Sequence, residues 1–104
     1  MTGLEKASFG EYIRSLRKNL RLPLRTVAAQ LNIDQSTLGK IERNDRKPTN
    51  EMIEKLADIF RTDVKELKVK FLSDRISFEL FDEDYGVEVL KLAEQKIKRL
   101  RTKK

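Results

Sequence analysis

The feature that most constrains this chain is the stretch from Leu24 to Ile41, where two short apolar stripes are separated only by Asn32-Ile33-Asp34. Leu24, Val27, Ala28 and Leu31 recur at the spacing of one helix face. Asn32 tolerates the left-handed backbone that a tight turn requires. Asp34 suits the cap of a following helix that starts at Gln35. In that helix only Leu38 and Ile41 face inward. The rest of it, Gln35, Ser36, Thr37, Gly39, Lys40 and Arg43, is small, polar or basic and is expected to form the outer face.

Helical signals surround this pair. Ser8 and Glu11 have the spacing of a capping box, and Phe9, Tyr12, Ile13, Leu16 and Leu20 then share one face. Pro23 ends that first helix and suits the start of the next. Asn44-Asp45 closes the third helix, and Arg46-Lys47-Pro48 forms a basic loop. Thr49 caps a fourth helix with Met52, Ile53, Leu56, Ala57 and Phe60 inside; Asp63 caps a fifth, beginning with Val64 and Leu67. The pattern predicts an all-α chain.

Beyond Leu67 the reading branches. Val69, Leu72, Ile76 and Leu80 lie on one face of a helix over 64–80, and Leu67, Phe71 and Phe78 on another. A helix apolar on two faces packs on two neighbours. Ile76, Phe78 and Leu80 also alternate with Ser77 and Glu79, as an edge strand over 76–81 would. Asp74, Glu79 and the absence of glycine favour the helix. Asp82 is expected to cap a last helix over 83–101, with Glu83 and Asp84 at its positive end. Leu90, Ala93, Ile97 and Leu100 follow at intervals of three, four and three. Six basic residues and no acid run from Lys96 to Lys104.

Composition narrows the function. The 104 residues suit one main domain, and the net charge of +6 makes nucleic acid or another acidic surface the first partner to consider. The blander reading of that charge is solubility alone. With no Cys and no His, thiol nucleophiles, Cys/His zinc sites, disulfides and the usual neutral-pH general base are excluded. No paired or metal-binding carboxylate set stands out, so the expectation is a protein that is not an enzyme and needs no cofactor or metal. No apolar run approaches the length of a membrane span, which predicts a soluble, cytoplasmic chain.

The segment LPLRTVAAQLNIDQSTLGKIERNDRKPT, Leu22 to Thr49, resembles the Cro/repressor-type helix-turn-helix family, often called the XRE family. The resemblance rests on Val27-Ala28-Ala29, the Asn32-Ile33-Asp34 turn, Gln35-Ser36-Thr37-Leu38 and Ile41-Glu42-Arg43, and it extends over residues 9–67. It implies a five-helix, lambda-repressor-like domain over residues 1–67, with residues 68–104 as a helical extension. It also implies that the third helix enters the major groove of double-stranded DNA, which is about 12 Å wide. Gln35, Ser36, Thr37 and Lys40 would then reach base edges, with Thr37 also able to take a phosphate. Arg25, Arg43, Arg46 and Lys47 would approach the sugar-phosphate backbone, though Arg43 could also reach a base. Arg17 and Glu42 match a structural ion pair between the first and third helices. Many members start the second helix with a Ser or Thr cap and a phosphate-binding Gln. Here Pro23 and Leu24 stand there, and Arg25 is the nearest substitute.

Residues 68–104 lie outside the resemblance. They either complete the monomer core or, as the apolar surplus favours, hold a homodimer through Leu90, Ala93, Ile97 and Leu100, since such proteins bind two half-sites of a palindrome. The basic end is expected to be a solvated tail rather than a set of phosphate contacts. The functional expectation is a sequence-specific transcriptional regulator, a dimeric repressor or restriction-modification controller. The alternative is an antitoxin that binds a toxin partner and represses its own operon.

Overall fold

The structure, a computed structural model, describes residues 8–102. It contains α1 (Phe9–Asn19), α2 (Leu24–Gln30), α3 (Gln35–Glu42), α4 (Asn50–Phe60), α5 (Val64–Leu80) and α6 (Gly86–Thr102), with no strand among the described residues. Residues up to Asp74 form one compact unit and those from Arg75 a second, so α5 belongs to both. No helix among the described residues is long and apolar enough to cross a membrane.

The first unit is built around one core. Phe9 and Ile13 of α1, Val27 and Ala28 of α2, Leu38 and Ile41 of α3, Ile53, Leu56 and Phe60 of α4, and Leu67 of α5 are all buried. These are the apolar periodic positions of the sequence, and their burial is what holds such short helices. Leu20 and Val64 are exceptions, both exposed. α1 ends at Asn19, so Leu20 caps the helix instead of continuing its face, and it stays half exposed.

Side-chain caps start α1, α3 and α4 as expected. Ser8 and Glu11 form the capping box on α1, Asp34 accepts from the Thr37 N–H, and Thr49 accepts from the Met52 N–H. The ends are less conventional. Arg21, Asn32, Asn44 and Arg61 all have φ between 55° and 64°, the left-handed region, and none is a glycine. At each of the four helix ends the next N–H reaches back to a carbonyl inside the helix: Leu22 to Arg17, Ile33 to Ala28, Asp45 to Lys40 and Thr62 to Ala57. These closures satisfy orphan carbonyls and repay the strain of a left-handed L residue.

In the C-terminal region the favoured helix over 64–80 forms, while the expected start of the last helix needs correction. Residues 76–80 finish α5 as helix, so their alternation reflects apolar groups on two faces and no strand forms. α6 starts at Gly86, not at 83, and Asp82 does not cap it; residues 81–85 form the turn between the helices. The Glu83 N–H bonds the Leu80 carbonyl there, closing α5 where helix continuation would otherwise begin. Only one of the two apolar faces of α5 is covered within its unit. Leu67 is buried and Phe71 packs its edge on Phe9 at 5.3 Å, while Val69 and Leu72 are exposed.

Candidate nucleic-acid interface

α3 is fixed from below and from both ends. Leu38 and Ile41 anchor it to the core. At its start the Asp34 carboxylate takes the Thr37 N–H at 2.7 Å. Thr37 first, then the cations of Lys40 and Arg46, hold the Asp34 carboxyl below its ordinary value. At its end Glu42 grips Arg17 with both oxygens, Nε to Oε2 at 2.7 Å and Nη2 to Oε1 at 3.0 Å. The third Arg17 nitrogen, Nη1, donates to the Leu22 carbonyl at 3.0 Å, so the guanidinium also ties down the segment before α2. The two side chains are only 12% and 6% exposed. The hydrogen bond to Glu42 is the main reason that Arg17 holds its proton more tightly than usual.

A second clamp joins α1 to the end of α3. Left-handed Asn44 accepts from the Gly10 N–H at 3.0 Å and donates to Ser8 Oγ at 2.8 Å. Gly10 is required by this approach: a Cβ there would lie 2.5 and 2.6 Å from the backbone oxygens of Glu42 and Ile41. The Asp74 carboxylate of α5 takes the neighbouring Phe9 N–H. In the sequence pattern Asn44 stands only as part of the Asn44-Asp45 close of α3, and Gly10 has no role there. An isolated glycine inside the first helix, for which the helix itself has no use, was the available signal.

The outward face of α3 presents Gln35, Ser36 and Lys40 in the open and Thr37 half-buried. Gly39 does not belong to that face. It is buried, because α3 turns this position toward Leu24 of α2 and lets the Arg43 guanidinium lie over it. Arg43, Arg46 and Lys47 are exposed after α3, and Arg25 is exposed in the first turn of α2. Arg43 pairs with exposed Asp45 at 3.5 Å, a contact that solvent screens. A shallow cleft of about 250 Å³ runs between α1, α2 and α3, with Arg14 and Arg43 on its walls and Leu24 and Gly39 among its lining. Arg14, which no local pattern in the sequence distinguishes, brings an exposed cation to the cleft that Arg43 lines. Pro23 caps α2 with no side-chain bond, because its ring carries no acceptor for the free N–H groups of the first turn.

Leu90, Ile97 and Leu100 of α6 are 43%, 55% and 64% exposed and Ala93 is half-buried, so the seam has no cover within its unit. Lys103 and Lys104, the end of the basic tail, lie outside the described residues.

Comparison with known proteins gives two matches. The helix-turn-helix family matches over residues 13–67. The crystal structure of the restriction-modification controller protein C.AhdI from Aeromonas hydrophila is similar at 34% identity and a TM-score of 0.53, over 62% of this chain and 90% of that one. No curated protein matches.

Proposed function

The chain belongs to the helix-turn-helix family, and from that premise we propose that it is a sequence-specific regulator that binds palindromic double-stranded DNA as a homodimer, in the manner of a restriction-modification controller. The observation that carries this reading is α3 itself: a helix held rigid by Arg17–Glu42 and the Asn44 clamp, offering Gln35, Ser36 and Lys40 to solvent. These side chains suit base edges: Gln pairs with adenine through two hydrogen bonds, and Lys donates to guanine. Thr37 lies at the rim of the same face.

Arg25, Arg43, Arg46 and Lys47 surround that face with exposed cations and serve the phosphates, and Arg14 joins them from α1. Phosphate contacts position the protein and supply affinity without reading sequence. The uncovered seam Leu90, Ala93, Ile97 and Leu100 supports the homodimer, and the similarity to a controller protein supports the regulatory class. The test is selection of binding sites from random duplex DNA by the purified chain. A two-fold symmetric consensus is the expected product. Recovery of unrelated sequences, with affinity set by salt alone, would overturn sequence-specific control.

A further inference from the structure

The stripe on α6 has a symmetry of its own. Its intervals of three, four and three read the same from either end, so an antiparallel copy sets Leu90 on Leu100 and Ala93 on Ile97. A parallel copy would set each residue on itself. Apolar contact allows both arrangements, and charge separates them. Asp82, Glu83, Asp84 and Glu88 stand at one end of the helix region, and the basic run from Lys96 stands at the other. Lys98 pairs with Glu94 at 3.4 Å, whereas Lys96, Arg99 and Arg101 make no ion pair among the described residues.

The acidic end also has a shape. Within this unit a hollow of about 330 Å³ lies where α6 begins, with Phe81, Val87 and Leu90 in its lining and Glu83, Asp84 and Glu88 around it. Leu100 is an exposed apolar side chain flanked by two arginines, Arg99 and Arg101, and it matches this hollow in both polarity and charge. A surface carrying both halves of a complementary pair is satisfied by its own copy under two-fold symmetry.

We propose that α6 pairs with α6 of a second copy in antiparallel orientation, each Leu100 seated in the acid-rimmed hollow at the start of the partner helix. This rests on the homodimer reading and adds its orientation. Parallel pairing would crowd two basic runs together within the roughly 10 Å over which charges interact at 0.1 M salt. Antiparallel pairing also opposes the two helix dipoles.

The chain has no cysteine, so introduced thiols report cleanly. Leu90→Cys and Leu100→Cys are made separately in the full-length protein and also co-expressed, then treated with a bis-maleimide shorter than two helical turns. In the antiparallel pair the two positions 90 lie about 15 Å apart along the axis, ten residues of helical rise, beyond that linker. The expected result is a dimer by sedimentation, linked only in the co-expressed sample as a 90–100 product. Linkage within either single variant overturns the orientation and leaves the dimer standing. A dimer that links in no sample places its interface elsewhere and also overturns it. A monomeric wild-type chain overturns both readings. If either cysteine dissociates the dimer, the variant Glu83→Gln/Glu88→Gln decides. At low salt it raises the dimer Kd severalfold in an antiparallel pair, by removing attraction for the basic end. In a parallel pair it lowers the Kd, by relieving repulsion between acids.

Discussion

Glu42 is the one buried charged side chain among the described residues, and Arg17 occupies both its oxygens. Removing one partner of such a pair leaves the other desolvated and unmatched. Glu42→Ala is therefore expected to lower unfolding stability by about 3 kcal/mol, read from the urea midpoint. An unchanged midpoint would show that the pair does not hold α3. Gly10 makes the opposite kind of point. Alanine favours a helix interior over glycine by about 1 kcal/mol, yet here the added methyl would press on two carbonyl oxygens. Gly10→Ala should cost about 1–3 kcal/mol and lower Tm; a rise in Tm would mean α1 and α3 part without penalty. On the proposed DNA face, Gln35→Ala should weaken the preferred site by about 1–3 kcal/mol and relax one of its positions. Arg46→Ala should weaken all duplexes alike and reduce the salt slope by about one unit. Equal losses on selected and random DNA for both variants would remove this division of labour.

At the scale of elements, α3 depends on its cap. The Asp34 carboxyl is held below its ordinary value in the fold, so its charged form contributes stability at neutral pH. That contribution is complete above the unfolded-state value and is lost as pH falls through the lower folded one. Asp34→Asn keeps an acceptor oxygen but removes the charge. The wild type should exceed it in urea midpoint at pH 7, and the gap should close in acid. A gap that persists at the lowest pH at which the fold survives would assign the effect to shape instead of charge. The helix ends are a second lesson at this scale. Asn32 and Asn44 sit where a short polar side chain eases the left-handed turn, but Arg21 and Arg61 adopt the same conformation with no such help. There the reach-back bonds and the packing of the next segment select it.

The whole molecule divides its labour. The unit through Asp74 holds the core and the cationic face, while the unit from Arg75 has no buried residue of its own among those described. Deleting residues 83–104 is therefore expected to leave a folded helix-turn-helix that sediments as a monomer. Its DNA affinity should fall far more than loss of basic residues alone explains. Deleting only Thr102, Lys103 and Lys104 should leave a dimer. A dimer that survives the longer deletion would place the interface in residues 1–82.

Local chemistry alone made much of this legible. Ser8, Asp34 and Thr49 cap the helices they were expected to cap, because capping is decided within one turn of chain. The apolar periodicity of residues 9–67 placed the core for the same reason. Helix 64–80 was ambiguous where apolar residues fill both faces, since period alone cannot choose between them. The start of α6 was not legible, because Asp82 followed by two more acids has the local look of a helix start, and only the turn over 81–85 decides where the helix begins. Tertiary structure alone decided that Gly39 is buried beside Leu24, that Gly10 and Asn44 join α1 to α3, and that Arg14 stands beside Arg43. These are meetings of residues distant in sequence or on separate helices. Their energies come from contact across space, which no local pattern of side chains encodes.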